Sequence, residues 1–328
     1  MTSNRNNFFK KIGSSYRSGG SVSGVATALI FLFIIGTIVS RNFFTGYNIT
    51  IMSRDLAFIG IVAIAQGILL LLGDIDLSIG SIAGVAAVLT SVLIVDFNVN
   101  FVISMIVGLL VGFGLGLING TLGSTFNLNP LVLTIGTQTA FLGLNFVITK
   151  GRTITGLPEA ATRLGTGSVF KIPIPVYFLA VVFIIIYILL NHTVFGRRLY
   201  AMGNNREAGI MVGINKHQIR ILAFAIAGVL AALAGSLMAF RTISAQTSIG
   251  ATWVMPSIAA PVIGGIATTG GVGSITGAII GAALVTLISN IIVLGGVNVY
   301  WQQVFNGVIV ILAIIMDSFL RKANKRNL

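Results

Sequence analysis

Residues 49–72 read ITIMSRDLAFIGIVAIAQGILLLL, and residues 73–80 continue GDIDLSIG. The first stretch is long enough to cross a bilayer, because about 20 apolar residues at 1.5 Å each cover the hydrocarbon. Asp74 and Asp76 then stand at the break before another apolar run. Runs of this kind recur from Ser23 to Phe319, separated by short polar breaks. The pattern predicts an all-α, polytopic membrane helix bundle.

Composition agrees. The chain has 328 residues, of which 55% are hydrophobic and 8% charged, and its mean hydropathy is +1.01. Such a chain lacks the polar residues needed to cover a water-soluble surface. Ten spans are predicted, at 22–39, 49–72, 76–95, 101–120, 130–149, 174–191, 218–240, 253–269, 274–295 and 299–318. The eighth is short, carries Pro256 and Pro261, and ends in a glycine cluster, so a broken or re-entrant segment is expected there. Residues 1–21 and 319–328 read as tails flanking a transmembrane domain at 22–318.

Ten spans put both termini on one side, and charge chooses the side. Arg5, Lys10, Lys11, Arg17, Arg197, Arg198, Arg206, Lys216, Arg220, Arg321, Lys322, Lys325 and Arg326 share one face, thirteen of the 20 basic residues. The positive-inside rule makes that face cytoplasmic. The loop from Lys150 to Lys171 is basic yet falls outside. The run Val22 to Val39 follows four basic residues without a small-x-small cleavage site, and it reads as an uncleaved first span. The net charge of +13 collects at the ends of apolar runs, which does not suit a nucleic-acid partner. There is no cysteine, and no metal-ligand spacing among His, Asp and Glu. No catalytic residues, metal site or cofactor are assigned to this chain, and the sequence offers little to a membrane enzyme.

Four features carry the functional reading. An Asp inside a membrane helix costs about 2.5–3.5 kcal/mol, so the pair in Gly73–Gly80 needs a reason. Asp76 suits a cap, accepting from the amides of Ser78 and Ile79; the alternatives are a lining of the translocation path or a proton relay. Second, in the loop at 192–217, Asn204 and Glu207 resemble a capping box. They predict a helix of about two turns, from Asn205 to Val212, closed by a left-handed Gly213. Its face would be Ala208, Met211 and Val212, with Arg206 and Glu207 at the rim, as in an element that docks a soluble partner; the alternative is a solvated connector. Third, Gly264-Gly265-Ile266-Ala267-Thr268-Thr269-Gly270-Gly271-Val272-Gly273 is no phosphate loop, and the chain has none elsewhere. Its glycines suit close backbone packing, as do Gly112, Gly114, Gly116, Gly120, Gly277 and Gly281. Fourth, Gln66, Asn119, Asn145, Asn290, Gln302, Gln303 and Asn306 place neutral amides in the spans. They suit a polyol path better than an ion path, or they bond helix to helix. Gly80-Ser81-Ile82-Ala83-Gly84 also echoes Gly273-Ser274-Ile275-Thr276-Gly277, in the same direction along the membrane normal.

Asp74-Ile75-Asp76-Leu77-Ser78-Ile79-Gly80-Ser81, the loop from Gly196 to Ile214, and Ile258 to Ser274 together resemble the ribose and autoinducer-2 type permeases of bacterial ATP-binding-cassette importers. The likeness runs from about Thr50 to the C-terminus. It implies a type II importer fold with about ten helices per subunit. It also implies a second permease subunit, identical or not, a cytoplasmic ATPase that binds ATP and Mg, a periplasmic or lipid-anchored solute-binding protein, and a place in the bacterial inner membrane. By the same resemblance, Asn204, Arg206, Glu207, Ala208 and Gly213 would couple to the ATPase. Asp74 departs from the family pattern, which commonly has a second glycine there. Asp74, Asp76, Ser78, Gln66 and Asn145 are the candidate path residues. A proton-coupled secondary transporter using Asp74 and Asp76 is the alternative.

Overall fold

The computed structural model describes residues 20–298, together with 301, 304, 305, 307, 308, 311 and 315. Residues 1–19, most of the tenth predicted span, the C-terminal tail, and Gln302, Gln303 and Asn306 lie outside the described residues.

The helices are α1 (Gly20–Val39), α2 (Gly46–Leu72), α3 (Ile79–Val95), α4 (Phe101–Thr125), α5 (Pro130–Thr149), α6 (Glu159–Thr166), α7 (Ile174–His192), α8 (Val194–Asn204), α9 (Arg206–Met211), α10 (Lys216–Thr242), α11 (Val254–Ile263) and α12 (Ile275–Leu294). Six of them, α2, α4, α5, α7, α10 and α12, are long and apolar enough to cross a membrane. The count of about ten spans is therefore not confirmed by the described residues, which leave out most of the tenth. The third and eighth predicted spans are shorter helices: α3 has 17 residues and α11 has 10. At 1.5 Å per residue α11 extends about 15 Å, roughly half the hydrocarbon thickness. The expected broken segment is real, with Pro261 inside the helix and the glycine-rich stretch after it.

Local sequence sets the helix ends. Asn100, Asn129 and Asn215 each accept from amides of the turn that follows, satisfying donors that a helix start leaves open. Pro130 opens α5, where its missing N–H is no loss. The basic loop at 150–171 is more structured than its composition suggests. It holds α6 and the strand Ile154–Thr155, which pairs antiparallel with Ser244–Ala245. Just beyond, Ser168–Val169 pairs with Ile172–Pro173.

Helices α2 and α10 form the centre. Of their most apolar windows 83% and 72% is buried, against 17% for α5 and 28% for α4 and α7. The peripheral helices turn Val102, Ile106, Leu110, Val132, Ile184 and Ile188 outward. That surface suits hydrocarbon rather than water.

Glycine lets α4 approach α10. A Cβ on Gly112 or Gly228 would fall on the other's carbonyl oxygen, and one on Gly116 would fall on the Phe224 carbonyl. The packing reading of these glycines holds, except that Gly114 faces open space. Gly264 and Gly277 meet in the same way where α11 packs on α12. The two echoed glycine motifs each open a helix, but at different offsets: Gly80 is the second residue of α3, whereas Gly273 precedes the Ser274 cap of α12.

Candidate functional site

Where α2 ends, Leu72 gives way to Gly73 at φ 82°. The Gly73 and Asp74 amides return to the Leu70 and Leu69 carbonyls, both at 2.9 Å, and this closes a Schellman cap. The Leu71 carbonyl would remain open, but it accepts from the Gly271 amide at 2.8 Å. Gly203 lies against the same carbonyl, and a Cβ there would fall on it. Three separate sequence segments thus share one backbone junction: the end of α2, the end of α8 and the glycine-rich loop. The packing function assigned to that loop is met here by contact between main chains, which any side chain would block.

Asp74 ties a fourth and a fifth segment to this junction. Its carboxylate is 2% exposed and accepts from Arg220 Nε at 2.7 Å and from Arg206 at 3.3 Å. Arg220 is itself buried, on the second turn of α10, and also donates to the carbonyls of Gly123 (2.6 Å) and Leu128 (3.2 Å). Two buried charges are tolerated because each has a partner and the remaining donors are used. Asp74 is therefore enclosed by two arginines.

Asp76 sits two residues on, fully buried. One oxygen, Oδ1, accepts from the Ser78 amide at 2.7 Å and the Ser78 hydroxyl at 2.6 Å. The expected bond from Ile79 is replaced by this second bond from Ser78, which forms a tight loop before α3. Asn119 of α4 donates to Ser78 Oγ at 2.8 Å, and Thr134 of α5 accepts from the Leu77 amide at 3.0 Å. With its amide oriented to suit its neighbours, Gln66 donates to the Asp76 carbonyl at 3.1 Å and accepts from the Asp76 amide at 3.2 Å. Four of the candidate path residues, Gln66, Asp74, Asp76 and Ser78, thus gather around one turn. Asn145 is also buried, against Gly84 of α3, and neither its Nδ2 nor its Oδ1 has a partner among the described residues. Asp76 Oδ2 and Asn119 Oδ1 are likewise unpartnered.

The short helix α9 hangs from the junction through Arg206. Its start corrects the expectation: the capping residue is Asn205, whose side chain accepts from the Ala208 amide at 3.0 Å, while Asn204 ends α8. Glu207 is then second in the helix, one place short of the position that closes a capping box. Gly213 does adopt the left-handed conformation, at φ 82°, and Ile214 returns to the Gly209 carbonyl. Ala208 lies on the outer side as expected, and Met211 and Val212 are 84% and 77% exposed. The loop that looked polar carries two consecutive helices, and its apolar tip faces away from the bundle.

Two members of the site escaped sequence reading. Arg220 counted only as a charge at a membrane edge, and Thr134 was unremarked. A single arginine inside the first two turns of an apolar span was the available signal, because such a charge needs a partner.

Residues 48–314 match the family model described as "Branched-chain amino acid transport system / permease component". The chain belongs to this permease family. Among its relatives, the ribose import permease protein of Bacillus subtilis is 35% identical over 296 residues, covering 90% of this chain and 92% of the relative. The ribose import permease protein of Haemophilus influenzae is 33% identical, covering 89% and 92%. The autoinducer 2 import system permease protein of Yersinia pseudotuberculosis is 35% identical over 302 residues, covering 92% and 86%. No solved structure matches. As a permease of this family, the chain is a multi-pass membrane protein whose candidate site is the junction at one end of its bundle.

Proposed function

We propose that this chain is the membrane subunit of an ATP-driven importer for a small sugar or sugar-like solute in the bacterial inner membrane, with both termini cytoplasmic. The permeases it resembles import ribose and autoinducer 2. In this reading the bundle is of the type II importer kind. It pairs with a second permease subunit, receives solute from a periplasmic or lipid-anchored binding protein, and takes its drive from a cytoplasmic ATPase that holds the ATP and Mg. Residues Asn204 to Gly213 form the element on which that ATPase docks.

The single observation that carries the proposal is the bond between Arg206 of α9 and Asp74. An exposed apolar helix tip is joined through it to the turn that opens α3. Displacement of α9 by a docked engine pulls on Asp74, hence on Arg220 and α10, and on the loop that holds Asp76, Ser78 and Gln66. Proton coupling through Asp74 and Asp76 is the weaker reading, because two arginines already neutralise Asp74.

The test is Met211→Asp in the assembled complex. Burying a methionine side chain is worth about 1.5–3 kcal/mol, so the variant should weaken ATPase docking about tenfold or more and lower solute-stimulated hydrolysis. Docking and hydrolysis equal to the parent's would refute the assignment of α9.

A further inference from the structure

A small cleft opens beside the ion pair at Asp74, at the end of the bundle that carries α9. Its volume is about 20 Å³, and Ser124, Asn127, Arg206, Lys216 and Arg220 are among the residues that line it. That is room for one oxygen-sized atom. Three cations stand here against one carboxylate, that of Asp74. Arg220 is fully engaged: its side chain is 8% exposed, and its donors go to Asp74 and two carbonyls. Arg206 is not, because it holds Asp74 by one 3.3 Å contact and is 45% exposed. Lys216, one turn before Arg220, is partly buried, and its ammonium has no partner among the described residues. Glu207 of α9 is exposed and does not line the cleft. Uncompensated positive charge therefore faces outward.

The depth is that of lipid headgroups. Helix α4 has 25 residues and ends at Thr125; at 1.5 Å per residue it extends about 37 Å, more than the hydrocarbon core of about 30 Å. Asn127 follows, between Phe126 and Leu128, which are 66% and 41% exposed. Cationic donors and bare apolar side chains thus adjoin at one place. We infer that this cleft binds the phosphate of an anionic phospholipid, one oxygen entering between Arg206 and Lys216 within reach of the Asn127 amide, and the hydrocarbon lying against Phe126 and Leu128. The inference needs the membrane setting of the chain and not the importer reading. A zwitterionic lipid carries its own cation, which the excess positive charge repels, so the site discriminates by headgroup. Each cation near the surface favours anionic lipid by about fivefold.

The chain has no cysteine, so Thr125→Cys, at an exposed position beside the cleft, takes a single bimane label. The labelled full chain is reconstituted in phosphatidylcholine vesicles. Brominated phosphatidylglycerol or brominated phosphatidylcholine is then added at matched mole fractions to quench the label. Phosphatidylglycerol is expected to be preferred about twentyfold, a factor of about five for each of the two reachable cations. Lys216→Gln and Asn127→Asp should each remove about fivefold of that preference. Lys171→Gln, at the opposite end of the bundle, should leave it unchanged. Equal quenching by the two lipids, or a preference that survives both Lys216→Gln and Asn127→Asp, would overturn the inference. Displacement of the lipid by inorganic phosphate at constant ionic strength would also overturn it, making the ligand a free anion. So would displacement by the docked ATPase, which would make the cleft part of that interface.

Discussion

Asp74→Asn is the most informative single change. It leaves the shape of the side chain almost unaltered and removes the charge that faces Arg206 and Arg220. Removing one partner of a buried ion pair costs about 3–5 kcal/mol, because the other charge is stranded. The lower end applies here. Arg220 keeps its bonds to the Gly123 and Leu128 carbonyls, and an asparagine oxygen still accepts one bond. A loss of about 3 kcal/mol is therefore expected. Arg220→Met alone should cost a similar amount, since it strands Asp74 with only the longer contact to Arg206, whose side chain is 45% exposed. In the double variant neither charge is stranded, so its cost should fall short of the sum by about 2 kcal/mol, within the range seen for coupled neighbours. Reversible unfolding of the full chain in mixed micelles gives the three differences. Additivity to within about 0.5 kcal/mol would refute the argument, because it is the behaviour of independent sites.

Other changes probe the same structure. Gly264→Leu should abolish a monodisperse fold, because a Cβ there falls on the Gly277 carbonyl; a normal elution profile would show that α11 and α12 do not meet as described. Asn145→Leu should leave stability unchanged or raise it by about 1 kcal/mol, since both amide atoms are buried without partners and such groups cost about 1–3 kcal/mol each; a marked loss in the same unfolding assay would count against this. Tyr200 is half-buried in α8, donates to the Gly273 carbonyl at 3.1 Å, and burial pushes its pKa above the usual 10.0. The folded state then holds that proton more tightly than the unfolded chain. Its contribution is fully present below pH 10 and is lost as pH rises through the folded pKa. Tyr200→Phe should show a shallower alkaline loss of stability, and an identical pH profile would contradict the assignment.

The bundle was legible from its apolar runs, and α2, α5, α7 and α12 began and ended within a few residues of expectation. The shortness of α3 and α11 was less so. Ile79 to Val95 and Val254 to Ile263 are as apolar as the longer helices, and periodicity does not record where a helix begins. Of the site, the Asp-x-Asp turn and the segment carrying α9 stood out as polar groups that a membrane does not tolerate without cause. Their connection did not, because Asp74 and Arg220 are 146 residues apart and pair only through the fold. The cap moved by one residue, from Asn204 to Asn205, because α8 runs through the first asparagine. Two adjacent asparagines gave local sequence no means of choosing.

Helix α2 runs unbroken from the Asp55–Arg241 ion pair to the backbone junction at Leu71. Phe58 lies beneath the Arg241 guanidinium, and Leu71 lies at the junction, thirteen residues or about 20 Å further along the same rod. A stiff rod of that length converts a tilt of about 5° at one end into a shift of nearly 2 Å at the other. A tilt begun at Leu71 is therefore felt at the Phe58–Arg241 contact, about two-thirds of a bilayer away, without any relay of individual bonds between them.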